Sequence, residues 1–164
     1  NLSNHTQVEQ WLAKTTPDMN VAFSLRWTDA YARTLGIRDD ISCSRELKRF
    51  LGRIDRQFFG KDGEKKKIKR LIGLERDNGG LWHIHGICDT AGRFTVKDMA
   101  LLLDYYWRRF IEIEGYNTHT QRCLTWFSER KGRYGNYSIK HAGDEDKNFL
   151  AHTGTIDIEN TYLG

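Results

Sequence analysis

The stretch that decides the fold runs from Ile68 to Asp89: IKRLIGLERDNGGLWHIHGICD. Two apolar runs, Ile68 to Asp77 and Leu81 to Asp89, flank Asn78-Gly79-Gly80. Asn and Gly readily supply the positive-φ positions that a tight hairpin needs, so the stretch reads as two antiparallel strands. Side chains alternate along a strand, which puts His83 and His85 on one face with Leu81 and Ile87. Trp82, Ile84 and Cys88 fall on the other, the face expected to meet helices. A three-residue loop pairs Asp77 with Leu81, Glu75 with His83 and Gly73 with His85. Directly opposed residues project from the same face with Cβ atoms about 5 Å apart. Glu75 is thereby expected beside the two imidazoles, and Gly73 leaves space over His85. A two-residue loop would turn Glu75 away, so the carboxylate depends on the turn. Asp89 shares the face but lies roughly 13 Å beyond His85, too far to ligate the same ion.

Two neutral imidazoles and one carboxylate suit a first-row divalent cation or Mg²⁺. Three ligands leave coordination positions open, as a catalytic centre needs for a phosphate oxygen. A closed zinc site would need a fourth ligand, and Cys43, Cys88 and Cys123 lack the spacing for one. Their odd number and wide separation also argue against a disulfide framework. Two satisfied surface histidines are the plainer alternative for an isolated His-x-His.

Working outward, Asn20 to Trp27 (NVAFSLRW) alternates as a strand with Val21, Phe23 and Leu25 on one face. Leu47, Phe50, Leu51, Ile54 and Phe58 recur at helical spacing over Arg45 to Phe59, with Ser42 or Ser44 as cap. A further helix starts at Thr95, carries Val96, Met99, Leu102, Leu103, Tyr106, Phe110 and Ile113 as an apolar stripe, and ends at Gly115. Arg122 to Ser128 reads as a fourth strand. Asn136 is placed to cap a short helix that begins at Tyr137 and closes at Gly143. The order β-α-β-β-α-β-α, with tightly joined antiparallel strands, makes the class α+β.

The chain has 164 residues, 38% hydrophobic and 12% aromatic, which is enough for one domain with a packed core and unlike a disordered chain. No apolar run approaches a membrane span and no signal peptide is evident. The net charge of +4 raises the prospect of a polyanionic partner. Two basic clusters concentrate it. Lys61 to Arg70 (KDGEKKKIKR) reads equally well as a solvated face. ERKGRYGNYSIKH, from Glu129, interleaves cations with tyrosines and glycines, as a phosphate backbone with unstacked bases would require.

The second cluster holds Tyr137 and Lys140, three residues apart and about 5–6 Å from each other on one helix face. A phenol is mostly neutral at pH 7 and a poor nucleophile unaided. A nearby ammonium favours the phenolate, and a cation polarises the phosphate under attack. Tyr134 is the second candidate, in the loop before Gly135. Tyr105 and Tyr106 belong to the packed helix.

His83-Ile84-His85 followed by Tyr137-Ser138-Ile139-Lys140 resembles the HUH endonucleases, in particular their single-tyrosine rolling-circle replication initiators. Glu75 looks like that family's third metal ligand, and Phe23-Ser24-Leu25 is similar to its weak first motif. The resemblance spans about residues 20 to 145. It implies an antiparallel sheet of about five strands with flanking helices, the fifth expected near Gly154 to Ile158. It implies Mn²⁺ or Mg²⁺ on Glu75, His83 and His85. It also implies metal-dependent nicking and rejoining of single-stranded DNA through a 5′-phosphotyrosine at Tyr137, with Lys140 assisting. The expected partners are a replication origin, unpaired or as a hairpin, and a helicase domain or host replication proteins. The expected compartment is the cytoplasm of a prokaryote or of a mobile element's host. Residues 1–164 are read as a single nuclease domain, a segment of a longer replication protein. No GxxxxGK[ST] loop is present, so a helicase would lie outside this sequence. Two other readings remain open: a phosphoesterase with no covalent intermediate, and a non-catalytic basic nucleic-acid-binding module.

Overall fold

The computed structural model describes residues 14, 18–76, 82–111, 126–129 and 155–164. The first strand, β1 (Val21–Arg26), places Val21, Phe23 and Leu25 in the main core at 0–3% exposure, as its alternation predicts. Helix α1 (Asp29–Leu35) follows at once. The sequence does not announce it, because seven residues are too few to establish a periodicity. Its end signals are nonetheless local: Thr28 Oγ1 accepts from the Tyr31 amide at 3.1 Å, and Gly36 closes it at φ +66°.

Helix α2 (Asp40–Phe59) starts five residues before the expected Arg45. The cap is Asp39, not Ser42 or Ser44. The Asp39 carboxylate accepts from the Ser42 amide at 2.7 Å, and the Ser42 hydroxyl accepts from the Asp39 amide at 3.1 Å. This reciprocal pair satisfies two of the helix's orphan donors. Ser44 instead donates its hydroxyl to Asp157 at 2.9 Å, tying α2 to the C-terminal segment. Helix α3 (Val96–Ile111) starts where Thr95 predicts, with Thr95 Oγ1 accepting from the Asp98 amide at 3.1 Å. The expected end at Gly115 lies outside the described residues. Met99, Leu103, Trp107 and Phe110 form its buried face, while Leu102 and Tyr106 sit at the margin. Trp27, Tyr31, Phe50, Trp107 and Phe110 pack ring against ring, with centroids 4.9–6.1 Å apart.

Strands β2 (Arg70–Arg76) and β3 (Trp82–Cys88) form the expected antiparallel pair. The joining turn lies outside the described residues. Strand β2 starts two residues later than the apolar run suggests because Asp55 of α2 holds its entry. The Asp55 carboxylate accepts from the Ile68 amide at 3.0 Å and from the Arg70 guanidinium at 2.8 Å. Strand β1 pairs with β3 on its other side. The three long strands are the body of the sheet, and all three helices pack on the face carrying Phe23, Ile72 and Ile84.

Where a sheet of about five strands is expected, three are long and two are short additions. These are β4 (Trp126–Glu129), four residues beside β1, and β5 (Thr155–Ile156), two residues beside β2, in the order β4-β1-β3-β2-β5. Strand β5 stops because Asp157 starts a turn: its carbonyl accepts from the Thr161 amide at 3.0 Å, and its carboxylate from the Asn160 side-chain amide at 2.6 Å. Among the described residues, no helix is long and apolar enough to cross a membrane.

Candidate metal centre

The register is the one the three-residue turn demands: Glu75 opposes His83 and Gly73 opposes His85. All four therefore share one face, away from the helices, together with Leu71, Ile87 and Ala22. A small apolar patch of Met19, Ala22, Leu71 and Ile87 covers one end of that face. Beyond it the two histidines lie side by side, 7% and 6% exposed, with ring centroids 4.9 Å apart and ring planes at 85°.

Glu75 reaches across from β2. Its Oε2 lies 3.0 Å from His85 Nε2 and 3.6 Å from His83 Nε2. One ligand atom from each of Glu75, His83 and His85 can be chosen so that all three lie within 4.8 Å of one another. Metal–ligand bonds of about 2.0–2.2 Å hold two donors at most about 4.4 Å apart, so small side-chain rotations close the set on one ion. The donors are two nitrogens and a carboxylate oxygen, which suits a divalent first-row cation or Mg²⁺ better than a soft ion. His83 Nδ1 is buried with no hydrogen-bond partner among the described residues. A buried polar atom left in that state costs free energy, as expected where a site's geometry serves binding rather than stability.

Asp89 is not part of this group. It is half-buried past the end of β3, accepts from the Ala91 amide at 3.1 Å, and burial pushes its carboxyl above the usual range.

Two further neighbours come from the opposite side of β3, where neither alternation nor turn chemistry predicts them. Across β1, Ser24 opposes His85 and Arg26 opposes His83, so both share the histidine face. Only the β1–β3 register reveals this, and no turn in the sequence announces that pairing. In sequence Ser24 stands out through the Phe23-Ser24-Leu25 resemblance alone. The same strand carries β4 on its far side, with Trp126 at the register position beside Ser24. Tyr137, Lys140 and the alternative Tyr134 lie outside the described residues, as do the cap at Asn136 and the helix end at Gly143.

No family model, no curated protein and no solved structure matches the chain.

Proposed function

We propose that this protein nicks and rejoins single-stranded DNA through a tyrosine nucleophile, in the manner of the HUH replication initiators it resembles. The observation that carries the reading is the convergence of Glu75 on His83 and His85, through a register fixed across strands. A lone His-x-His strand is commonplace. One matched by a carboxylate on the facing strand is a donor set with coordination positions to spare.

A divalent ion held there, Mn²⁺ or Mg²⁺, would draw charge from a phosphate oxygen and make its phosphorus more electrophilic. Arg26 adds a cation to the same face. In the proposed step, the Tyr137 phenolic oxygen bonds to phosphorus as the bond from phosphorus to the 3′ oxygen breaks. The phenolic proton is given up, the leaving 3′ oxygen takes up a proton, and a 5′-phosphotyrosine and a free 3′-hydroxyl result. Lys140 favours the phenolate. Reversal by another 3′-hydroxyl rejoins DNA.

Chain length permits the encounter. Tyr137 follows the end of β4 by eight residues, a tether that spans at most roughly 26–29 Å. Strand β4 lies two strand spacings from β3, roughly 10 Å. A helicase domain and host replication proteins are the partners this activity calls for.

The test is incubation of the full chain with single-stranded oligonucleotides and Mn²⁺, with and without chelator, followed by mass measurement of the protein. The expected product is protein plus the 3′-side DNA fragment, abolished by chelation and by Tyr137→Phe. Cleavage with no adduct would instead support the non-covalent phosphoesterase. Binding with no cleavage under any metal would support the binding module.

A further inference from the structure

On the opposite side of the molecule from the histidines, α2 and α3 leave an open groove of about 490 Å³ between them. Arg53 and Arg56 line it from α2, and Tyr106 and Arg109 from α3, while Phe50 and Phe110 form its floor. Among the described residues, no Asp or Glu lines it.

The cations there differ from their neighbours. Arg49 spends its guanidinium on Glu46 at 2.7 Å, and Arg108 on Asp104 at 3.0 Å. Among the described residues, Arg53, Arg56 and Arg109 have no carboxylate partner. Arg53 lies over the Phe110 ring at 5.0 Å, and Arg109 over Tyr105 at 5.4 Å with a hydrogen bond to its hydroxyl at 2.8 Å. Both guanidinium groups are therefore laid against rings while the two residues remain exposed to solvent. From Arg56 the chain continues into the exposed Lys61, Lys65, Lys66 and Lys67, the basic cluster that the metal centre leaves unexplained. Of these, Lys66 meets Asp62 at 3.8 Å.

We propose that this groove is a second, metal-independent binding site for single-stranded nucleic acid. Unpaired arginines grip phosphates, and flat guanidinium and phenol faces offer stacking platforms to unpaired bases. A duplex hides its base faces and would use only the charge. The volume falls within the roughly 300–1,000 Å³ of small-ligand clefts, room for a nucleotide rather than a lone ion. The basic run after α2 gives the strand a path out of the groove. The site does not depend on the nicking reading, since it shares no residue with the metal centre.

The test uses the full chain as its Tyr137→Phe variant, in chelator, with fluorescence anisotropy of a labelled oligothymidylate. Binding is expected without metal and is expected to survive His83→Ala with His85→Ala. Arg53→Glu with Arg56→Glu is expected to weaken it about tenfold or more, and to flatten the dependence of log affinity on log salt by about 1.4. Arg56→Glu alone, which leaves the Arg53–Phe110 contact intact, should give a smaller loss and guards against a folding defect. Tyr106→Ala should weaken binding to oligothymidylate but not to an abasic strand of equal length. Unchanged affinity in both charge-reversed variants would overturn the proposal. So would equal binding of duplex and single strand at equal phosphate number. A loss of this binding leaves metal-dependent cleavage to be judged separately, and absence of cleavage leaves this binding to stand.

Discussion

Each face of the sheet buries a charged cluster, and the two are built differently. On the helix face, Asp55 and Arg70 are 1% and 5% exposed and answer one another in full. Both Asp55 carboxylate oxygens accept from Arg70, at 2.8 and 3.0 Å, and Oδ1 also accepts from the Ile68 amide. Arg70 donates further to the carbonyls of Ile68 and Asn160. On the other face, Glu75, His83 and His85 crowd their donor atoms together and leave His83 Nδ1 without a partner among the described residues. The first cluster is closed and fastens α2, β2 and the C-terminal segment. The second gathers donors from two facing strands onto one point. Burial of polar groups costs free energy on both faces; among the described residues the first cluster recovers that cost through the Asp55–Arg70 hydrogen bonds, while the second leaves His83 Nδ1 unanswered.

The comparison is tested most severely by Asp55→Ala. It strands the Arg70 guanidinium in the core, and breaking a buried pair from one side costs about 3–5 kcal/mol. Chemical denaturation should show that loss in full, whereas His83→Ala without metal should cost clearly less. If the two variants cost the same, the clusters do not differ in kind.

Gly86 tests the helix face within the histidine strand itself. A Cβ there would run into the Phe23 ring, since the Gly86 position and Phe23 are register partners packed face to face. Overpacking of this kind costs about 1–3 kcal/mol. Gly86→Ala is expected to lower stability by that amount in denaturant titration, while the apparent affinity for Mn²⁺ stays within about threefold. A large change in metal affinity with little loss of stability would mean that the two faces are not separable.

How much of this is legible in the sequence depends on whether a signal is local. The β2–β3 register is readable because Asn78-Gly79-Gly80 sits between the strands and alternation does the rest, so Glu75 can be placed from the sequence. The cap of α2 is not, because Ser42 and Ser44 are good caps by type. Only the three-dimensional pairing shows that Ser42 serves Asp39 and that Ser44 serves Asp157, 113 residues away. Ser24 and Arg26 are invisible as neighbours of the histidines for the same reason: β1 reaches β3 across two α-helices, a short 3-10 helix and a strand. The groove arginines look like an ordinary solvated helix stripe in sequence, and their lack of acidic partners among the described residues emerges only once α2 and α3 are set side by side.

The smallest effect bears most directly on the open cluster. If Glu75, His83 and His85 bind an ion in the folded state alone, the metal must stabilise the fold. At ten times its dissociation constant the gain is about 1.4 kcal/mol. For a chain of this size that is roughly 3–6 °C in melting temperature. Mn²⁺ should therefore raise the melting temperature of the wild type, and chelator should reverse the shift. His83→Ala should lose it, since two donors remain where three converged. Asp89→Asn should keep it, because Asp89 stands outside the group despite sharing its charge type. A shift that survives His83→Ala would move the ion elsewhere on the surface, and with it the argument that Glu75, His83 and His85 converge in order to receive one.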